Sequence, residues 1–397
     1  MKILFCRWNS ICEEGVTHAF ERLQLSICYL DRKFLHVDYD NSYVEKLSEI
    51  LKNDSDIGMV FSINYIPVIS RVCNLFSVLY VSWIVDSPCF QLYSETLKYP
   101  TNKVFCFDYS QYERFHSANL QGVFYLPLGT DVDVWDGIEV TSEEHKKYDC
   151  DVSFIGSLYT EKCIYNDVVA ELPEYVRGYS DALIKSQMQI FGYNFLRDAI
   201  SDDFAKEFKR YAAWPPLGED YEEDIKDIIA DTYLGHKCTE QDRIRTLNAI
   251  AERFEVDLYT LSDTAPLKNV NCRGGADSTT MMPKIIKCSK INLNFTNKPI
   301  KTGLPLRVFD IMGMEGFLIS NYQSEIPNYF VPGKDIVMYE SIPHLLELID
   351  YYLKHEDERR CIAHSGYLKV RQEHTYDKMI VKMFDTISRE CKLEGME

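Results

Sequence analysis

Short runs of apolar, β-branched and aromatic residues recur along the whole chain, separated by stretches of helical periodicity. That alternation restricts the fold more than any other feature. Several runs, Ile57–Ile63 and Leu79–Val85 among them, are apolar at consecutive positions instead of at every second one. A strand reads this way when helices cover both of its faces, so the pattern predicts an α/β protein with parallel sheets. The 397 residues exceed what one ordinary core holds, which points to two domains.

In residues 1–150 the expected strands are Lys2–Trp8, Phe34–Asp40, Ile57–Ile63, Leu79–Val85, Lys103–Asp108 and Val123–Leu128. They make one Rossmann-like domain. A second series starts at Asp151–Gly156 and continues with Val256–Leu261, Val270–Cys272, Ile291–Phe295, Phe317–Ser320 and Asp335–Tyr339. It makes a second Rossmann-like domain over 151–375. Between its first two strands, about residues 165–235, lies more chain than a βαβ crossover needs. This stretch reads as a helical insertion, either a lid or a surface for self-association into a homo-oligomer; an elaborated outer layer of helices is an equal reading. Ser341 is placed to cap a helix carrying Leu345, Ile349 and Tyr352. A last amphipathic helix in 376–397, with Met379, Ile380, Met383 and Ile387, is expected to pack back toward the N-terminal domain.

Composition removes several function classes. A net charge of −18 argues against a nucleic-acid partner, which needs a basic face to displace counterions. The most apolar stretch, Val72–Val85, is interrupted by Asn74, Ser77 and Ser82 and falls short of the ~20 residues of a membrane span. The 13 cysteines are scattered from Cys6 to Cys391, with no C-x-x-C pair, as expected of reduced thiols in the cytoplasm. The first residues, Met-Lys-Ile-Leu-Phe-Cys-Arg-Trp, lack the apolar core and cleavage site of a secretion signal.

Chemistry concentrates in Lys301–Ser320. Gly303 permits close approach of backbone to a ligand, and Pro305 suits the first turn of a helix. Free amides and the positive end of the helix dipole at Gly303–Leu306 would suit a diphosphate. Asp310 lies one turn in, on the face of Leu306 and Arg307, where a carboxylate can accept both hydroxyls of a ribose. The same residues also read as an ordinary Gly303-Leu304-Pro305 loop followed by a surface ion pair, Arg307 with Asp310. Asp86 closes an apolar strand ahead of Ser87-Pro88, a position that suits a general base and equally a helix cap.

The chain resembles the CgeB-like group of bacterial glycosyltransferases, named after a spore-maturation protein. The matching pieces are Trp83-Ile-Val-Asp86-Ser-Pro88, Leu126-Pro-Leu-Gly129, Phe154-Ile-Gly-Ser-Leu-Tyr159, Lys290-Ile-Asn-Leu-Asn294, Lys301–Ser320, Asn321–Tyr329 and Gly366-Tyr-Leu-Lys-Val370. The resemblance implies a GT-B fold, two Rossmann-like domains with facing surfaces around a cleft. It also implies a nucleotide-sugar donor, usually a UDP-sugar. At the place of Asp310 the family binds the donor ribose, and the turn at Gly303 meets the diphosphate. Two departures stand out. Thr302 occupies the place of the first of two glutamates found in many retaining relatives. Ser157 follows Gly156 where an arginine is usual, leaving Lys162 as the cation for the diphosphate.

In that fold Tyr259, Ser262 and Met282 fall where the nucleotide base lies, although a strand tyrosine such as Tyr259 also reads as core. Asn9–Gly15, after the first strand, is where a loop approaches sugar or acceptor, and also reads as a plain βα turn. Glu14 rivals Asp86 as base if the enzyme inverts. His18 and His116 read as structural or exposed. The D-x-D strings Asp38–Asp40, Asp54–Asp56, Asp131–Asp133 and Asp149–Asp151 read as acidic turns, so no metal or other cofactor is expected. The expected activity is transfer of a sugar to an acceptor hydroxyl of a protein, glycan or small molecule. The rivals are an epimerase or hydrolase of nucleotide sugars on the same fold, and a silent binding module.

Overall fold

The computed structural model describes residues 2–212, 214, 220, 221 and 224–394, with side chains as far as residue 390. The side chain of Cys391 and residues 213, 215–219, 222 and 223 of the expected insertion lie outside the described residues. The chain divides into two compact units: residues 1–131, 216–223 and 374–397, and residues 132–215 and 224–373.

Unit 1 is built on six parallel strands: β1 Lys2–Arg7, β2 Ile27–Asp31, β3 Ile57–Ile63, β4 Leu79–Trp83, β5 Asn102–Cys106 and β6 Val123–Tyr125. Their spatial order is β2-β1-β3-β4-β5-β6. The five strands β1 and β3–β6 fall where the apolar runs place them. The expected strand Phe34–Asp40 does not exist; the edge strand is β2, eight residues or so earlier in the chain. Phe34 instead packs its ring on Tyr43 at 4.4 Å, and Asp40 accepts from the backbone N–H of Tyr43 to cap the helix Asn41–Asn53. An apolar segment laid over a core from a loop carries the same residue types as a strand. Helix starts elsewhere follow local rules, with Pro67 in the first turn of Pro67–Phe76 and Asp108 capping Tyr109–His116. The final helix, Tyr376–Glu394, belongs to this unit and buries Met379, Ile380 and Met383.

Unit 2 holds β7 Cys150–Ile155, β8 Val256–Tyr259, β9 Asn271–Cys272, β10 Ser289–Asn294, β11 Leu318–Asn321 and β12 Val337–Tyr339. They are parallel in the order β12-β11-β10-β7-β8-β9, with Ile291 opposite Val152 and Leu293 opposite Ile319. Between β7 and β8 run the helices Tyr165–Val168, Glu174–Gln187, Leu196–Ala199, Asp202–Lys209 and Ile225–Asp227. A π-helical segment, Ile228–Gly235, then leads into the helix His236–Ala251. Among the described residues no helix is long and apolar enough to cross a membrane.

Each sheet has one point at which successive strands depart in opposite directions: between β1 and β3 in unit 1, and between β7 and β10 in unit 2. The crevice beyond the C-terminal ends of the strands at such a point is where open α/β sheets bind ligands.

Candidate functional site

In unit 2 the chain leaves β7 through Gly156 and Ser157. The N–H of Gly156 donates to the carbonyl of Tyr259 at 3.0 Å, which extends the β7–β8 pairing by one step. The Ser157 hydroxyl donates to Glu161 at 2.7 Å and accepts from the N–H of Tyr159 at 2.7 Å. Ser262, beyond β8, accepts from the N–H of Leu158 at 2.8 Å and donates to Ser157 Oγ at 3.3 Å. Two loops are thus stitched side by side at the sheet edge. Tyr259 itself is 3% exposed, and burial raises its phenol above the usual range. Its ring is a core element, the alternative reading of that position.

Arg243, from the helix His236–Ala251, is a residue that the sequence reading missed. Its guanidinium donates through Nη1 to the carbonyl of Ser157 at 2.5 Å and through Nη2 to the carbonyl of Phe295. It therefore ties the chain after β7 to the chain after β10, the two strands that flank the switch point. The rings of Phe154 and Tyr159 cover it at 5.4 and 5.0 Å. Burial pulls its pKa below the ordinary arginine value. Close by, the His236 ring packs on Tyr159 at 5.1 Å, and burial, with the charges of Lys162 and Arg243, lowers its pKa to about 4. Lys162 is exposed, its ammonium 5.3 Å from the centre of the Tyr159 ring.

Beyond β10 the loop runs through Lys301, whose ammonium lies 3.6 Å from Asp231, and half-buried Thr302 to Gly303 and Leu304. Gly303 is buried and its φ is not left-handed. Gln323 donates to the carbonyls of Ile300 and Gly303, 3.2 Å in each case, which fixes the loop against the chain after β11. Pro305 occupies the N-cap position of the helix Leu306–Gly313, one residue earlier than the first-turn position expected, and no side chain caps that helix. Its N-cap residue therefore offers no side-chain acceptor to the first-turn amides, which suits an anionic ligand. Arg307 lies against the sulfur of Met282 and 3.9 Å from Asp310, whose side chain is 17% exposed. Met282 is itself buried, at the start of the helix Met282–Cys288.

The predicted donor residues thus fall into two groups within unit 2. Gly156, Ser157, Tyr259, Ser262 and Lys162 gather on the loops after β7 and β8. Thr302, Gly303, Leu304, Arg307, Asp310 and Met282 gather around the helix Leu306–Gly313. Arg243 joins the first group to Phe295, at the start of the chain that leads from β10 to the second.

In unit 1, the chain after β1 turns at Asn9, which is exposed and held at φ 78°. Glu13, not Glu14, organises this turn. Its buried carboxylate accepts from the N–H of Trp8 at 2.7 Å and of Asn9 at 2.9 Å. Glu14 is exposed. Gly15 is half-buried and closely packed: a Cβ there would sit 2.4 Å from the ring of Tyr376. Asp86, beyond β4, is exposed and accepts from Asn64 Nδ2 at 2.7 Å. Six of the eight D-x-D carboxylates have structural partners: Asp38 with Tyr221, Asp40 with the Tyr43 backbone, Asp54 with Lys2, Asp131 with Arg22, Asp133 with Arg371 and Asp151 with Lys290. Among the described residues no cluster of three or more His, Cys, Asp or Glu is arranged to hold a metal ion.

Two parallel six-stranded sheets, each layered with helices, define the GT-B fold. Residues 243–385, all but the last twelve of them in unit 2, match the family model Glyco_trans_1_2, described as glycosyl transferase-like. The match begins at Arg243 and contains Gly303, Arg307 and Asp310. A glycosyltransferase from Rickettsia africae superposes with a TM-score of 0.51 at 12% identity, covering 98% of both chains. Anabaena Alr3699/HepE, in complex with UDP and glucose, gives 0.51 at 9% identity over 98% of this chain and 100% of that one. Sucrose-phosphate synthase from Thermosynechococcus elongatus gives 0.52 at 9% identity over 98% of both. At such identities the likeness establishes the fold. No curated protein matches the sequence significantly.

Proposed function

We propose that the chain is a glycosyltransferase of the CgeB-like kind that moves a sugar from a UDP-sugar to an acceptor hydroxyl. The observation that carries this reading is the helix Leu306–Gly313. It lies in the glycosyl transferase-like stretch, no side chain caps it, and Asp310 stands one turn in. The first-turn amides, with Lys162, would take the diphosphate, and Asp310 the ribose hydroxyls. The helix Met282–Cys288 and the β8 edge at Ser262 would line the base, with Arg307 between base and ribose. Stabilising the charge that develops on the departing diphosphate is then the main catalytic term. Amides and an ammonium meet that need, so the reading takes no metal. The Anabaena neighbour is described in complex with UDP-glucose as well as with UDP and glucose, which supports a uridine donor. Twelve free cysteines among the described residues suit a reducing, cytoplasmic setting.

Titration calorimetry with UDP tests the reading. Binding should weaken at least about tenfold on Asp310→Ala, the loss expected for one or two charge-assisted hydrogen bonds. A panel of nucleotide sugars, read by released nucleoside diphosphate, then separates transfer from hydrolysis by its dependence on added acceptor. If neither UDP nor its common sugars bind and none is turned over, the silent-module reading replaces this one.

A further inference from the structure

The helical insertion between β7 and β8 supplies one wall of a pocket that lies wholly within unit 2. The pocket has a volume of about 290 Å³ and sits just beyond the C-terminal ends of β10 and β11. Gln187, Phe191 and Asn194 of the insertion face Lys298 and Lys301 of the loop after β10, and Gln323 after β11. Amides hold these walls in place. Gln187 donates to the carbonyl of Tyr193 at 2.8 Å and accepts from the N–H of Phe195 at 2.9 Å. Asn194 donates to the carbonyl of Lys298 at 2.8 Å, which ties the insertion to the loop that leads to Gly303.

Two lining groups keep bonding capacity. The Lys298 side chain is 12% exposed, its ammonium 3.5 Å from Asp242 and 5.1 Å from the centre of the Phe191 ring. It hydrogen-bonds to none of the described residues. Asp242 is shared with Arg245 at 2.9 Å, so that carboxylate does not neutralise Lys298 alone. Gln323 is 5% exposed; its Nε2 clasps the carbonyls of Ile300 and Gly303, while Oε1 accepts from no described residue. A nearly buried cation and a buried carbonyl oxygen are costly until something fills the space between them. The volume exceeds the ~30 Å³ share of one water and nears the lower end of small-molecule pockets.

We propose that this pocket binds a small hydroxylated anion, with an anionic oxygen on Lys298 and a hydroxyl donating to Gln323 Oε1. Two sources supply that chemistry: a free sugar acid or sugar phosphate, and an acidic sugar carried by the donor. A ligand that fixes the Gln323 amide also stiffens the loop at Gly303, so nucleotide binding there has less ordering left to do. This coupling rests on the glycosyl-transfer reading; the pocket does not.

Titration calorimetry of the full-length chain tests it, with gluconate and glycerol 3-phosphate as probes and glycerol at matched ionic strength as the control. At least one probe should bind with a Kd of about 1 mM or below. Lys298→Met keeps the apolar stem beside Phe191 and should weaken binding about tenfold or more, the loss of one charge-assisted hydrogen bond. Ile190→Glu should weaken it too, from a lining position that is 38% exposed and tolerates a charge without disturbing the core. UDP should bind about fivefold tighter or more when the probe saturates. If the anion belongs to the donor, UDP-glucuronate should instead bind at least about tenfold tighter than UDP-glucose, a preference that both variants lose. A pocket that takes neither probe in wild type and gives UDP-glucuronate no preference holds only water, and the proposal fails. It fails as well if both variants bind like wild type. Probe binding that leaves UDP affinity unmoved overturns the coupling. Probe binding by a protein that does not bind UDP upholds the pocket and sinks the transfer reading, so the two failures are told apart.

Discussion

Arg243 Nη1 donates to the carbonyl of Ser157 at 2.5 Å across a sequence separation of 86 residues. Where an arginine is usual after Gly156 in the family the chain resembles, a guanidinium arrives from a distant helix. It also spans to Phe295, so one planar fork sets the spacing of the loops beyond β7 and β10. A lysine ammonium cannot make the two divergent bonds of that fork. Arg243→Lys and Arg243→Ala should therefore both destabilise unit 2, each lost charge-assisted bond costing about 1.5–3 kcal/mol. Differential scanning calorimetry should show the melting temperature falling by several degrees, with UDP binding weakened in both variants. A melting temperature that does not move would mean that the loops hold their spacing without the guanidinium.

Neighbouring glutamates on the helix after β1 should behave in opposite ways. Glu13 satisfies two backbone N–H groups of the turn that contains Asn9, a non-glycine residue in left-handed conformation. Removing its carboxylate takes the partner from two part-buried N–H groups, at about 1–3 kcal/mol in total. Glu14 is exposed, and surface changes of that kind stay within about 0.5 kcal/mol. Chemical denaturation of Glu13→Ala and Glu14→Ala compares them directly, and equal midpoints would refute the assignment of the turn to Glu13.

Two helical glycines differ in the same way. Gly178 lies inside the helix Glu174–Gln187, exposed, with nothing within 4 Å of the place a Cβ would take. Gly178→Ala should raise stability by about 0.5–1 kcal/mol, the helix-propensity gain. Gly366, in the helix Glu356–Glu373, has the carbonyl of Asp335 at 2.4 Å and the methyl of Met312 at 2.9 Å from that place. Backbone cannot move aside as a side-chain tip can, so Gly366→Ala should lose stability, by about 1–3 kcal/mol of overpacking. The sign of each change, read from denaturation midpoints, checks the close packing of that helix against Asp335 and the helix Leu306–Gly313.

Legibility in the sequence followed the range of the interactions. Central strands were readable because helices on both faces demand unbroken apolar runs, as in Ile57–Ile63, which the structure reproduces residue for residue. The edge strand Ile27–Asp31 was not, since of its residues only Leu30 is buried and its pattern is that of a loop. The helix after Gly303 was likewise written locally, in Pro305 and the spacing of Arg307 to Asp310. The Arg243 fork and the hydrogen bond between His18 and Asp131, across 86 and 113 residues, have no local signature. Glu13 was hidden by having Glu14 beside it.

His236 makes the stability of unit 2 depend on pH in a direction that follows from its surroundings. Burial, together with the nearby charges of Lys162 and Arg243, outweighs a hydrogen bond with the Lys162 backbone and lowers its pKa to about 4 in the folded chain. Unfolded, the same ring titrates near the ordinary histidine value of about 6.5. Above that value the ring is neutral in both states and contributes no pH dependence. Between about 6.5 and 4 the unfolded chain holds a proton that the folded chain refuses, so stability falls on acidification, by at most about 1.4 kcal/mol per pH unit. Moving from pH 7 to pH 5 should therefore cost wild type roughly 2 kcal/mol more than His236→Gln, which carries no such proton. Urea denaturation of both proteins at the two pH values measures the difference, and carboxylate titration common to both cancels. Parallel losses would show that the ring protonates in place, and that the packing of His236 on Tyr159 does not exclude water from it.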